Sequence, residues 1–157
     1  MAGTPPPAAK PPVTAELVWA EELRFGATSG RTAFVVDGDS TAGPSPVQML
    51  AIALAGCMSI DVVDIIRKGR HPLTAFRTSV TGERAPEPPR RLLQVRLQFH
   101  VHGDVPAHVV ERAISLSREK YCSVWHSLRQ DIDLTTAFDI LPSASNAEGP
   151  APSKADG

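Results

Sequence analysis

Two cysteines are the side chains of this sequence best suited to chemistry, and each falls on a predicted helix. Cys57 lies in an almost wholly apolar run, residues 47–60, and Cys122 lies between a tyrosine and a serine. Two thiols that are distant in sequence can be buried apolar residues, a structural disulfide, part of a metal site or a redox couple. The residues alone leave all four alternatives open.

The surroundings of the two thiols predict different acidities. A cysteine attacks as a thiolate, and burial in an apolar helix disfavours that charge, so Cys57 needs a cation from elsewhere in the chain. Arg24 and Arg31, near the first predicted turn, are the candidates. Cys122 lies near the start of a short predicted helix, where unpaired N–H groups and the helix dipole stabilise an anion. We therefore expect Cys122 to be the more acidic thiol.

A histidine close to the second cysteine adds two further alternatives. His126 follows Cys122 by one helical turn, so the pair could act as nucleophile and base, or supply half of a metal site. The sequence has no CxxC or HExxH spacing, and we predict no metal. It also has no glycine-rich phosphate loop, and we predict no cofactor.

Aromatic and acidic residues near the cysteines have structural as well as chemical interpretations. Tyr121 and Trp125 could form the wall of an apolar pocket, or could equally pack in a core. Asp61 and Asp64 lie at helical spacing, close to basic residues of the following turn. We interpret these two aspartates as a solvated helix face with intrahelical ion pairs.

Composition and charge narrow the class of protein. A chain of 157 residues, with 42% hydrophobic and 21% charged residues, suits one globular domain. A net charge of -1 does not favour binding to nucleic acid or to an anionic membrane. No secretory signal is visible, and the apolar run is shorter than the roughly 20 residues of a membrane span. We expect a cytoplasmic protein.

Composition also predicts where the folded domain begins and ends. Residues 1–13 and 142–157 are rich in proline and alanine, and we predict that both are disordered tails. The domain then covers residues 14–141. Its first elements are a β-hairpin, residues 15–25 and 31–37, followed by a helix with Ser45 as its N-cap and Pro46 as its first residue. This helix is predicted to end before Gly69.

The remaining pattern predicts an α+β fold. The long helix is apolar on all sides for four turns, which indicates burial rather than a surface position. A second strand pair, residues 74–84 and 91–102, alternates apolar and polar residues from Leu93 onward. A helix after Pro106, a short helix at 122–129 and a strand at 132–140 complete the order ββ-α-ββ-α-α-β. We expect an antiparallel β-sheet wrapped around a long buried central helix.

Two segments resemble the OsmC/organic hydroperoxide resistance family, in particular its less characterised OsmC-like branch. They are residues 43–57, which open with Gly-Pro-Ser-Pro and end with Gly-Cys, and residues 117–124, which contain Tyr-Cys-Ser-Val. The resemblance covers residues 15–141. It implies an intertwined homodimer with its sites at the subunit interface.

The same resemblance implies an activity, the reduction of organic hydroperoxides by two cysteines. Cys57 matches the thiol that attacks the peroxide, and Cys122 matches the thiol that resolves the sulfenic acid into a disulfide. A dithiol reductant, lipoamide or a thioredoxin-like protein, restores both thiols. An arginine from the first hairpin holds the thiolate, and here we choose Arg24, with Arg31 as its substitute.

The chain departs from the family pattern at the start of the long helix. The peroxidase branch has a glutamate after the helix-opening proline, whereas this chain has Val47 and then Gln48. The expected substrate pocket comprises Gln48, Leu50, Leu54, Tyr121 and Trp125.

Two other functions are alternatives, and the missing carboxylate supports the first of them. In one, the protein is a non-catalytic binder of a small hydrophobic ligand. In the other, Cys122 transfers an acyl group or a thiol with His126 as base.

Overall fold

A computed structural model describes residues 10–143 of the chain, in two compact units that meet at residues 49 and 50. The predicted tails therefore lie largely outside the described residues, and residues 10–13 form neither helix nor strand. The elements follow in the order β1 Glu16–Glu21, β2 Arg24–Ser29, β3 Thr32–Asp37, α1 Pro46–Lys68, β4 Leu73–Arg84, β5 Leu92–Gly103, α2 Ala107–Leu116, a π-helical turn Ser117–Tyr121, α3 Ser123–Ser127 and β6 Asp133–Leu141.

The first unit contains an antiparallel sheet of three strands in the order β1-β2-β3. The sequence predicts one hairpin here, but its first strand is divided into β1 and β2 by a tight turn. Glu22 in this turn has a φ of 44°. A left-handed residue cannot continue a strand, and a glutamate gives no sequence signal for such a turn. The predicted turn between β2 and β3 is present, with Gly30 at a φ of 57°.

Helix α1 begins and ends as predicted. Its N-terminus is closed by a capping box, in which the Ser45 N–H donates to Gln48 Oε1 at 2.8 Å and the Gln48 N–H donates to Ser45 Oγ at 3.4 Å. The helix ends at Lys68, with Arg67 and Lys68 near its negative pole. Gln48 therefore has a structural role at the helix start.

Within the described part of a single chain, burial of α1 is limited to one face, whereas the sequence predicts burial on all sides. Leu54, Met58 and Val62 are fully buried, whereas Ile52 is 56% and Ile60 is 71% exposed. An apolar helix face therefore stays uncovered by the described part of the chain. By length and composition α1 could also span a membrane, a property that it shares with the core helices of water-soluble proteins.

The second unit contains a sheet in the order β4-β5-β6. β5 pairs antiparallel with β4 but parallel with β6, so the prediction of an antiparallel sheet is wrong for the last strand. The reason is the connection: α2, the π-helical turn and α3 cross over and return the chain to the same end of the sheet.

Strand β5 has the predicted alternation except at its start. Val95, Leu97 and Phe99 are buried, but Leu93 is 39% exposed and its neighbour Leu92 is buried instead. The pairing of β4 with β5 shifts its register at this end, and such a shift reverses the direction of the side chains.

Asp37, at the end of β3, organises the loop that leads to α1. Its buried carboxylate accepts hydrogen bonds from the N–H groups of Asp39, Thr41 and Ala42 and from the Thr41 hydroxyl, at 2.8–3.0 Å. These bonds, led by that of Ala42, hold the pKa of Asp37 well below its ordinary value. The folded chain therefore binds this proton at lower pH than the unfolded chain does.

We predict that Asp37 makes stability depend on pH in the acid range. Its contribution is complete above the ordinary aspartate pKa of about 4 and is lost progressively as the pH falls below that value. Asp37→Asn should lower the free energy of unfolding at pH 7, and its difference from wild type should shrink toward pH 3. Urea titrations at several pH values measure this. Asp39→Asn, in an exposed position of the same loop, is the control, and a difference that does not change with pH would contradict the prediction.

Candidate active site

The two cysteines lie side by side in the second unit. Cys57 is half-buried on α1, and Cys122 is fully buried at the N-cap of α3. Their sulfur atoms and a carboxylate oxygen of Asp61 all lie within 4.8 Å of one another, and both thiols are free. Cys57 Sγ also lies 4.0 Å from Ser123 Oγ. The fold thus brings together the two predicted thiols and adds a carboxylate that the sequence did not indicate.

A π-helical turn places Cys122 in this position. α2 is followed by the wider turn Ser117–Tyr121, and the Cys122 N–H donates to the Ser117 carbonyl oxygen at 2.8 Å. Segments of π-helix are rare and often occur at functional sites. The periodicity of the sequence indicated only that the regular helix ends near 117–120, so the geometry of this turn was not predicted.

Burial makes Cys122 a weak acid, contrary to the expectation that its position at a helix start lowers the pKa of its thiol. It does lie at a helix start, and Sγ accepts a hydrogen bond from the Trp125 N–H at 3.3 Å. Burial nevertheless raises the pKa of Cys122 to about 12, and the negative charges of Cys57 and Asp61 add to that rise. A helix of five residues offers too weak a dipole to offset these effects.

Asp61 belongs to the site, which corrects its interpretation as part of a solvated face. The Ser117 hydroxyl donates to Asp61 Oδ2 at 2.7 Å, so the carboxylate is held between α1 and the π-helical turn. Asp64 behaves as predicted instead, since it is exposed and pairs with Lys68 at 2.6 Å. The spacing of Asp61, one helical turn after Cys57, was the signal that could have identified it.

The residues that flank Cys122 differ in their exposure to solvent. Trp125 is 5% exposed, with the Arg118 guanidinium 5.7 Å from its ring centroid. Tyr121 is 49% exposed. His126 is also exposed, and its N–H donates to the Cys122 carbonyl oxygen at 3.1 Å. A buried thiol and an exposed imidazole do not support the predicted role of His126 as a base for Cys122.

The other expected pocket residues have different environments. Leu54 is fully buried and Leu50 is 39% exposed. Gln48 is exposed, and its Oε1 accepts hydrogen bonds from Ser45 and Ser40 at 2.8 Å. A shared pocket for these residues stays a prediction.

Two open grooves of the second unit follow the exposed side of α1. One, of about 360 Å³, is lined by Ile52, Ala55, Gly56, Ser59, Phe76, Thr78 and Val80. The other, of about 670 Å³, is lined by Ser59, Ile60, Val63, Asp64, Arg67 and Lys68. Both include residues of the apolar face that the described chain leaves uncovered.

Arg24, the predicted partner of the thiolate, has several anionic neighbours within the first unit. Its guanidinium donates to Glu21 at 2.8 Å and to Thr41 at 3.2 Å, and its Nε lies 3.4 Å from Asp37. Arg31 is exposed on the turn that connects β2 and β3. Support of the Cys57 thiolate by Arg24 stays a prediction.

Fold and site together define an α+β protein with two reduced thiols where α1 meets the start of α3. The family model described as "OsmC-like protein" matches residues 37–137, and the chain belongs to the OsmC-like family. Protein YhfA of Escherichia coli strain K12 is 37% identical over 130 residues, a match that covers 81% of this chain and 97% of the relative.

Solved structures confirm the fold. An OsmC like protein from Mycoplasma pneumoniae has a TM-score of 0.74 at 16% identity, over 85% of this chain and 99% of the other. An organic hydroperoxide resistance protein OsmC from Legionella pneumophila has a TM-score of 0.63 at 13% identity, over 83% and 98%. The predicted family and the α+β class are thus both confirmed.

We predict that the two thiols react with alkylating agents at very different rates in the folded protein. Cys57 is half-buried and should react with iodoacetamide at neutral pH, whereas Cys122 is enclosed and has a pKa of about 12. Mass spectrometry of peptides after short exposures measures both rates. In urea the two rates should become similar, which serves as the control. Equal labelling of both cysteines in the folded chain would show that Cys122 is accessible.

Proposed function

We propose that the protein is a thiol-dependent peroxidase that reduces organic hydroperoxides with the Cys57/Cys122 pair. The observation that carries this proposal is the proximity of the two sulfur atoms, within 4.8 Å of each other although their residues are far apart in sequence. Two free thiols at this distance need only local movement to form a bond of about 2.05 Å. A chance pair of buried cysteines has no reason to meet in this way.

The difference in burial supports the following order of steps. Cys57, the half-buried thiol, attacks the distal peroxide oxygen as a thiolate. The O–O bond breaks, the alkoxide leaves and takes a proton, and Cys57 becomes a sulfenic acid. Cys122 then attacks the Cys57 sulfur, an S–S bond forms and water leaves. The two thiols lose two electrons, which reduce the hydroperoxide to an alcohol and water.

Burial of Cys122 suits the second step. Because the Cys122 thiol is shielded from solvent, peroxide reaches Cys57 first, and Cys122 then reacts with the sulfenic acid beside it. Formation of the disulfide protects Cys57 from irreversible oxidation. Cys122 needs no low pKa to take part, because its target is held against it rather than met by diffusion.

Relatives support this class of activity. Homologues of the OsmC and organic hydroperoxide resistance proteins are implicated in organic hydroperoxide resistance, as the names of the structures from Legionella pneumophila and Bacillus subtilis state. For this chain we propose the same substrate class, a cytoplasmic location and a dithiol reductant, lipoamide or a thioredoxin-like protein. The exposed apolar residues Ile52 and Ile60 of α1 support a homodimer, in which a second copy would cover them.

A second candidate function is the binding of a small hydrophobic ligand without catalysis. It is favoured by the apolar groove that contains Ile52, Phe76 and Val80, and by Val47 at the position of the family glutamate. In this alternative the thiols do not turn over.

We predict that the reduced protein consumes cumene hydroperoxide faster than hydrogen peroxide. Cys57→Ser should reduce the rate to that of free thiol, because the first S–O bond can no longer form. With excess dihydrolipoamide, the wild type should consume many peroxides per chain, whereas Cys122→Ser should slow sharply after about one, because no second thiol of the chain resolves its sulfenic acid. Stopped-flow kinetics measure the rates, and mass spectrometry detects the disulfide.

Two results separate the candidate functions. A wild type no faster than free thiol would exclude the peroxidase. A small molecule retained in native mass spectrometry by the wild type and by both serine variants would then support the binding protein.

We predict that Arg24 contributes to the peroxidase rate more than Arg31 does. A cation favours the thiolate and stabilises the leaving alkoxide, so Arg24→Ala should lower the second-order rate constant by about a hundredfold. Arg31→Ala is the matched control and should retain the wild-type rate. Since Arg24 also pairs with Glu21 and Asp37, circular dichroism must show that the variant is folded. A larger loss in Arg31→Ala would reverse the assignment.

A further inference from the structure

We propose that Cys57, Asp61 and Cys122 form a binding site for a thiophilic divalent cation, Zn²⁺. The sequence predicted no metal because none of the familiar spacings is present. The fold nevertheless gathers two sulfur atoms and one carboxylate oxygen within 4.8 Å of one another, from two separate elements of the second unit. No single segment carries this site, which is why a search for short motifs misses it.

The distances are compatible with zinc after a small contraction. Zinc lies about 2.3 Å from thiolate sulfur and about 2.0–2.2 Å from carboxylate oxygen, so the ligand atoms of a tetrahedral site are about 3.6–3.8 Å apart. The three atoms here therefore need to approach one another by about 1 Å at most. Rotation of the half-buried Cys57 side chain, together with a small shift of the Asp61 carboxylate that keeps its bond to Ser117, supplies movements of this size.

The chemistry of the donors selects the ion. Two thiolates and one carboxylate form a borderline-soft set that suits Zn²⁺, whereas Ca²⁺ and Mg²⁺ take oxygen ligands. Three potential anions also meet here, and a divalent cation neutralises the repulsion among them. Three protein ligands leave a fourth position for water or an external ligand, as in open zinc sites.

Further contacts hold the ligands in place. The Ser117 hydroxyl donates a hydrogen bond to Asp61 Oδ2 at 2.7 Å, which restrains the carboxylate. The Trp125 N–H donates to Cys122 Sγ at 3.3 Å. Hydrogen bonds of this kind orient ligands in metal sites and contribute to affinity.

Binding of zinc and formation of the disulfide exclude each other. Zn²⁺ displaces one proton from each thiol and forms two Zn–S bonds with no change in oxidation state, whereas the disulfide removes two electrons from the same sulfurs. Zinc is therefore a reversible inhibitor of peroxide reduction. This consequence, unlike the site itself, rests on the proposed function.

Cobalt(II) is a spectroscopic probe for the site. The reduced wild type, under anaerobic conditions, should bind one Co²⁺ per chain with a thiolate-to-cobalt charge-transfer band, and equimolar Zn²⁺ should remove that band. Cys57→Ser and Cys122→Ser should each lose about half of its intensity. Zinc should also raise the thermal midpoint of the wild type, which provides a second measurement on the unaltered sequence.

Asp64, three residues after Asp61 on the same helix, provides a matched control. Asp61→Asn should weaken zinc binding about a hundredfold and Ser117→Ala about tenfold, while Asp64→Asn should have no effect. A wild type without the band, or equal affinities of the Asp61 and Asp64 variants, would overturn the site. The titration contains no peroxide and therefore tests the metal site alone. A negative titration does not contradict the proposed peroxidase activity, and a lack of peroxidase activity does not contradict the metal site.

Discussion

Burial of one face of α1 in the second unit is the constraint on which the rest of the site depends. Leu54, Met58 and Val62 are fully enclosed, so the rotation of the helix about its own axis is fixed. Cys57 and Asp61 then point toward the segment that connects α2 with α3. A rotation of α1 that carried both residues to solvent would expose this core, at about 1.5–3 kcal/mol for each large side chain.

Two serine hydroxyls beside Cys122 contact residues of α1. Ser117 binds Asp61, and Ser123 lies beside Cys57, so a hydroxyl on each side of Cys122 faces a site residue of α1. The π-helical turn spaces these two serines and leaves the Cys122 thiol between them. The π-helical turn therefore places the Cys122 sulfur next to the Cys57 sulfur.

Close packing of acidic groups determines the character of the site. Burial and the neighbouring groups of Cys57 and Asp61 raise the pKa of Cys122, and the two thiols differ in exposure. A pair of identical residues thus becomes an accessible thiol and a protected one. Such a division suits sequential redox steps, and it also produces a concentration of negative charge that a cation can relieve.

Patterns between residues close in sequence predicted the start of α1, its length and the alternation of β5. The cap at Ser45 and Pro46, the long apolar helix and the alternation of β5 follow from short-range physics and were correct. The turn at Glu22 was not predicted, because its left-handed backbone occurs without a residue typical of such turns. The parallel pairing of β6 was not predicted, because it depends on the path of the crossover connection. Asp61 was assigned to a solvated face because Arg67 and Lys68 follow it within two helical turns.

The sequence by itself determined the class of fold and the two residues with reactive side chains, since these depend on residue types and on periodicity along the chain. The family came from the resemblance of two segments, residues 43–57 and 117–124, to known members. Only the tertiary structure decided that the two sulfurs meet, that Asp61 joins them and that burial raises the pKa of Cys122. Proximity and desolvation are properties of the folded core, and no local pattern can encode a distance between segments so far apart in sequence.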